Sequence, residues 1–284
     1  MTERLMKKFQ WQAGALQSLY IDGCKLEAVC YGSSPMAAPT IVLLHEGLGC
    51  IALWRDFPQQ LSRATGFGVF YYSRAGYGGS DCIELPRPLD YMTQEAIQVL
   101  PQVLDAIDFH QGLLLEHSDG ASIAAIYLGS VADHRVRGMV LMAPHFFTES
   151  MQLESIAEAR ENYEQGTLRQ RLAKYHTNVD NTFIGWNDAW LDPEFQNWNI
   201  TDAIDYWRVP VLAIQGAQDQ YGSMAQIDEM QRRAYCPIET QIIDDCQHSP
   251  HLQQPSITLS AVLEFASRIA VAEGLLVSPE VSED

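Results

Sequence analysis

From Thr40 onward the chain alternates short, continuously apolar runs with longer stretches whose apolar residues recur at helical spacing. The runs are Thr40 to Leu44, Gly68 to Tyr72, Gly112 to Leu115, Val136 to Met142, Val211 to Ile214 and Thr240 to Ile243, and each reads as a strand buried on both faces. Between them the period predicts helices from about Trp54 to Ala64, Thr93 to Ile107, Ala121 to Leu128, Met224 to Ala234 and Pro255 to Val271. Ahead of this series, Phe9 to Leu16 and Lys25 to Tyr31 read as a hairpin with Asp22-Gly23 supplying the turn. Such alternation implies an α/β fold, a mostly parallel central sheet with helices on both faces. It breaks once, from Pro144 to about Val209, where helical patterns and aromatics replace strands. The expected division is therefore a core domain of residues 1–143 and 210–284 and a helical lid (cap) of residues 144–209, inserted after the sixth strand.

Composition excludes several classes of function. The 284 residues suffice for one large domain with an insertion, and 47% hydrophobic against 19% charged residues is a globular balance. Eighteen basic against 36 acidic residues give a net charge of -18, which repels nucleic acid and anionic membranes alike. No apolar signal segment follows Met1-Thr2-Glu3-Arg4 and no apolar run reaches membrane-spanning length, so a cytoplasmic protein is expected. Cys24, Cys30, Cys50, Cys82, Cys236 and Cys246 lack C-x-x-C spacing, which argues for free thiols and against zinc. The acidic tail after Leu276 is expected to fray.

In such a fold ligands bind beyond the carboxyl ends of the strands, so the loops there hold the candidate chemistry. Leu115-Glu116-His117-Ser118-Asp119-Gly120 passes from strand to helix with Ser118 at the apex, an arrangement that lifts a serine oxygen clear of the sheet and aims helix N–H groups at an oxyanion. It departs from the G-x-S-x-G elbow in having Glu116 for the first glycine. His45-Glu46-Gly47-Leu48-Gly49 allows a second backbone N–H to face that serine, whereas Ser73-Arg74-Ala75-Gly76-Tyr77-Gly78-Gly79-Ser80 reads as a surface turn. Asp219 follows the strand at Val211, and His248 follows the strand at Thr240. Ser118, Asp219 and His248 thus stand at three strand ends in the order nucleophile, acid, base. His251 is an alternative base, and Asp244 or Asp245 an alternative acid. His117 is expected to point away from the apex. Glu116 needs a partner such as His45 or Arg74; buried without one, its pKa rises strongly.

These pieces, with Gln215-Gly216-x-x-Asp219 and His248-Ser249-Pro250-His251, resemble the α/β-hydrolase superfamily from about Leu19 to Val271. Within it the chain looks like the capped carboxylesterase and meta-cleavage-product hydrolase branch. The resemblance implies a carboxylesterase working through an acyl-enzyme, with a catalytic triad of Ser118, Asp219 and His248. It also implies an oxyanion hole built from the backbone N–H of Asp119 and of Leu48 or Gly47. The expected partner is a small-molecule ester, with no cofactor, metal, nucleic acid or membrane, and with a homodimer left open. The runner-up is a C–C bond hydrolase of diketone-type ring-fission products. From another class comes a non-catalytic binding protein on the same fold.

Four of the six tryptophans, Trp186, Trp190, Trp198 and Trp207, crowd into the lid. Most of them are expected to fill the lid's core and its seam with the main domain. Phe146 and Phe147, after the sixth strand, are expected to line an acyl pocket together with Trp186 and Trp190.

Overall fold

The structure, a computed structural model, describes residues 9–275, so the acidic segment beyond Leu276 lies outside the described residues. Eight strands form one sheet: β1 (Gln17–Ile21), β2 (Cys24–Tyr31), β3 (Thr40–Leu44), β4 (Gly68–Tyr72), β5 (Gly112–His117), β6 (Val136–Met142), β7 (Val211–Gly216) and β8 (Ile238–Ile243). Their spatial order is β1-β2-β4-β3-β5-β6-β7-β8, with β2 antiparallel to both its neighbours and β3 through β8 parallel. The opening strand starts later than expected. Asp22 and Gly23 both take positive φ, forming the tight two-residue turn that pairs Ile21 with Cys24, and pairing therefore begins just upstream of that turn. Phe9 and Trp11 do not join the ladder and pack instead on Phe70.

Parallel strands need crossover helices, and these lie on both faces. Helix α1 (Phe57–Thr65) carries Pro58 in its first turn and is capped by Gly66 in the left-handed conformation. Helices α2 (Tyr91–Gln94) and α3 (Leu100–Ala106) are joined by a π-helical turn, Glu95–Val99. Helix α4 (Asp119–Ser130) follows β5 directly. Side chains alternate along each strand, so Val42, Leu44 and Leu114 face one apolar cluster with α3 and α4. Ile41, Leu43, Leu113 and Leu115 face the other, with α1 and the C-terminal helix. These leucines are wholly buried, which stabilises the fold by about 1.5–3 kcal/mol each.

Between β6 and β7 the chain leaves the sheet for α5 (Ser150–Gln165), α6 (Leu168–Leu172), α7 (Val179–Leu191) and two 3₁₀ segments, Pro193–Asn197 and Thr201–Tyr206. Its buried residues Ile156, Phe183, Trp190, Phe195 and Trp207 belong to the same apolar cluster as α3 and α4. Trp207 anchors the segment by donating its indole N–H to the Ala125 carbonyl of α4 at 3.0 Å. Helix α8 (Met224–Arg233), the short α9 (Pro250–Gln253) and α10 (Pro255–Ala272) complete the chain.

Candidate active site

Ser118 sits where β5 gives way to α4 with no intervening loop, and its backbone takes φ 53°, ψ -115°, a strained conformation for a residue with a side chain. Its N–H donates to the Met142 carbonyl at 2.9 Å, which holds the turn against β6. The turn works only with glycine two residues on, because a Cβ at Gly120 would lie 2.4 Å from the Leu44 carbonyl oxygen. Ser118 Oγ is 2.9 Å from His248 Nε2, and His248 Nδ1 is 2.9 Å from each carboxylate oxygen of Asp219. A carboxylate only accepts hydrogen bonds, so the imidazole proton lies on Nδ1 and Nε2 is free to accept from the serine hydroxyl.

Asp219 is held by the Gln215 side-chain amide at 2.9 Å and the Tyr221 backbone N–H at 2.8 Å. Burial alone would raise its pKa, but the neighbouring His248 and the Tyr221 N–H win and lower it to about 2. The imidazole of His248 lies between Tyr221, at 4.8 Å edge to face, and His145, stacked at 5.6 Å. Burial holds His145 neutral, its pKa lowered to about 3.

The alternative residues lie elsewhere. His251 packs between Trp54 and Phe57 and is lowered to about 3 by burial. Asp244 and Asp245 are exposed on the surface.

The loop after β3 is pinned by Arg74, which follows β4. Arg74 donates through Nη2 to the carbonyls of His45 (3.2 Å) and Glu46 (2.9 Å), and its backbone N–H donates to His45 Nε2 at 3.0 Å. Among the described residues, the N–H groups of Gly47, Leu48 and Asp119 donate to no protein acceptor, and all three residues line the same cavity as Ser118. That cavity measures about 180 Å³. Trp186, Trp190, Ile156 and Tyr221 give it apolar walls, and Glu46, Gln152, Gln220 and His145 add polar groups. Trp186 presses its indole on the loop after β3, where a Cβ at Gly47 would lie 2.1 Å from the indole nitrogen.

Two expectations need correcting. Phe146 and Phe147 do not line this cavity. Phe146 is wholly buried against Trp207 at 5.9 Å, and Phe147 pairs with Asn199, because the turn after β6 presents His145 to the cavity and sends the next residue to the opposite side. Neither His45 nor Arg74 pairs with Glu116: His45 binds the Glu46 carbonyl and the Arg74 backbone N–H, and Arg74 directs Nη2 to the carbonyls of His45 and Glu46 while its Nε and Nη1 have no partner among the described residues. Glu116 opposes Leu44 and Leu141 in the ladder, both carboxyl oxygens lack a donor, and burial pushes its pKa well above the ordinary range.

Sequence reasoning also missed cavity residues. Gln152 and Ile156 share one face of α5, four positions apart, as Trp186 and Trp190 do on α7, so helical spacing carries a signal once one member is known. Tyr91 was missed as well. Its hydroxyl donates to Asp119 Oδ2 at 2.5 Å and accepts from the Trp190 indole at 3.1 Å, linking α7 to the residue after Ser118. Among the described residues no three His, Cys, Asp or Glu side chains converge on a metal position.

A family model described as the alpha/beta hydrolase fold matches residues 39–192. No curated protein matches the sequence. Among solved structures, the enol-lactonase of Burkholderia xenovorans LB400 is similar at 16% identity and a TM-score of 0.70, covering 88% of this chain and 100% of its own. A structure from a study of carboxylesterases of the thaumarchaeon Nitrososphaera gargenis is similar at 16% identity and a TM-score of 0.73, covering 90% and 100%. A thermophilic esterase from Thermogutta terrifontis is similar at 15% identity and a TM-score of 0.68, covering 90% and 99%.

Proposed function

The chain belongs to the α/β-hydrolase fold family, and from that premise we propose that it is a serine hydrolase cleaving small, uncharged carboxylic esters through an acyl-enzyme. The reading is carried by the continuous chain Ser118 Oγ, His248 Nε2, His248 Nδ1, Asp219, with 2.9 Å at each link. In this mechanism Ser118 attacks the carbonyl carbon as its proton passes to His248, and Asp219 stabilises the imidazolium that forms. The tetrahedral oxyanion is received by the Asp119 N–H and that of Gly47 or Leu48, each worth about 2.7–4 kcal/mol of transition-state stabilisation. His248 returns the proton to the leaving alkoxide, and water then hydrolyses the acyl-enzyme by the same path in reverse.

The cavity supports the substrate class. At about 180 Å³ it exceeds only slightly the roughly 150 Å³ that accepts a benzene-sized guest, which favours a short acyl chain or a single ring. No Lys or Arg lines it, and Glu46 does, so a carboxylate-bearing substrate finds no counter-charge. This counts against the C–C hydrolase reading, whose ring-fission substrates carry carboxylates. The esterase and enol-lactonase names among the fold neighbours agree with the proposal.

The test is direct. A fluorophosphonate probe should label the wild type and leave Ser118→Ala unlabelled; equal labelling would overturn the assignment. Across p-nitrophenyl esters, kcat/KM should be greatest at about two to four acyl carbons and fall at least about tenfold by eight. Turnover of ring-fission dienoates without ester hydrolysis would favour the C–C reading instead.

A further inference from the structure

Two residues of the site have no task in the proposed reaction: Glu46, in the oxyanion loop, and His117, immediately before Ser118. Their geometry links them to the base. His117 Nε2 is 2.6 Å from the backbone carbonyl oxygen of His248, and His117 Nδ1 is 3.4 Å from Glu46 Oε2. A carbonyl oxygen only accepts, so Nε2 carries a proton and donates it. The His117 side chain is wholly buried, whereas that of Glu46 is 24% exposed where it borders the cavity. Burial alone would push the Glu46 carboxyl up; the contact with His117 reverses this and holds it ionised, below the ordinary range. Space for the carboxylate is reserved by glycine, since a Cβ at Gly49 would lie 2.3 Å from Oε2.

We infer that Glu46 and His117 form a positioning couple that fixes the main chain of His248 so that its imidazole stays in register with Ser118. The inference rests on the serine hydrolase reading of the site. His248 lies on the loop between β8 and α9, and its ring contact with Asp219 fixes only one end of the residue. The hydrogen bond from His117 holds the carbonyl at the other end, while Gln253 Oε1 accepts from the flanking N–H groups of Gln247 and Ser249. With both ends held, the imidazole cannot pivot about the Asp219 contact and carry Nε2 away from Ser118 Oγ. The Glu46 carboxylate accepts at Nδ1 only when that nitrogen is protonated as well, and the imidazolium so formed donates more strongly to the His248 carbonyl than a neutral ring does. Because Glu46 directly precedes Gly47, the couple ties the base loop to the oxyanion loop across the elbow. Neither residue touches the reacting atoms, so both are positioning residues.

Three variants test the couple against a role in packing alone. His117→Leu keeps bulk and removes the donor, His117→Gln places an amide N–H near the lost Nε2–H, and Glu46→Gln removes the charge. For a neutral short-chain ester, His117→Leu should lower kcat by about 10- to 100-fold with KM within about twofold, and slow fluorophosphonate labelling in parallel. His117→Gln should recover most of that loss. Glu46→Gln should lower kcat by about 3- to 10-fold, and should have no further effect once His117 is leucine. Wild-type kcat in His117→Leu, equal losses in the leucine and glutamine variants, or additive losses in the double variant would each overturn the inference. If His117→Leu fails to fold, Glu46→Gln decides, because an unchanged kcat there also overturns the couple. Ser118→Ala separates the two levels: labelling that persists in it defeats the serine hydrolase reading itself, whereas lost labelling beside an unimpaired His117→Leu defeats only the couple.

Discussion

Both carboxyl oxygens of Glu116 lie in the apolar interior without a donor, on a strand whose neighbours in register are Leu44 and Leu141. Burial raises its pKa in the folded state well above that in the unfolded chain. The native protein therefore retains a proton that the unfolded chain gives up, and stability falls as pH rises from the ordinary carboxyl range toward the folded pKa. Glu116→Gln removes this dependence. The variant should match the wild type within about 1 kcal/mol near pH 4 and gain on it at higher pH by up to about 1.4 kcal/mol per unit. Urea denaturation at pH 4, 6 and 8 checks this, and parallel curves would refute it. That Glu116 is buried is legible from the run Leu113-Leu114-Leu115 ahead of it; that it is unpaired is not. A partner depends on which way Arg74 turns, and Arg74 directs Nη2 to the carbonyls of His45 and Glu46 and brings no nitrogen to Glu116.

At the scale of elements, the loop after β3 lies between Arg74 and Trp186 of α7. Spacing marks His45-Glu46-Gly47-Leu48-Gly49 as a glycine-rich loop that lets a backbone N–H face Ser118, and in the structure each glycine also makes room for a side chain: Gly47 for Trp186, and Gly49 for the Glu46 carboxylate. Gly47→Ala places a Cβ 2.1 Å from the Trp186 indole nitrogen, so either α7 or the loop must retreat. The fold has slack for this and the site does not. Gly47→Ala should lower kcat/KM by about 100-fold while moving the thermal midpoint by only a few degrees, and the loss should shrink in a Trp186→Ala background. Steady-state kinetics of the two single variants and the double variant give the answer, and additive losses would exclude the contact as the cause. The segment between β6 and β7 follows the same logic. Its helices are predictable from periodicity, but its buried aromatics merge with the cluster under α4, and one face each of α5 and α7 is left to line the cavity.

For the whole molecule, buried histidines and carboxyls set opposite limits on stability. Burial lowers the pKa of His45, His145, His176 and His251, with His145 and His251 reaching about 3. Below the ordinary imidazole pKa the unfolded chain takes up protons that these folded histidines refuse, so their contribution is intact above about pH 6.5 and is lost as pH falls. Glu116 and Glu95, both raised by burial, act in the other direction as pH rises. Stability should therefore peak near neutrality and fall on the acid side by up to about 1.4 kcal/mol per pH unit for each histidine, although acid also relieves the self-repulsion of a chain carrying -18 charges. His251→Phe should flatten the acid limb by up to one proton. An unchanged slope between pH 6.5 and 4 in thermal denaturation would exclude His251 as a contributor.

What the sequence by itself determined is the order of strands and helices, the interruption between β6 and β7, and the placing of Ser118, Asp219 and His248 beyond the ends of three parallel strands. Such features are local: periodicity, glycine and proline punctuation, and the rule that ligands meet strand ends act over a few residues at a time. Only the tertiary structure decided that Phe146 turns toward Trp207 and leaves the cavity to His145, that Glu116 stands unpaired, and that His117 reaches the carbonyl of His248. Each of these depends on where a side chain meets a group distant in the sequence. No spacing along the chain encodes such a meeting, because it is set by the register of packed elements, where a shift of one residue turns a side chain to the other face.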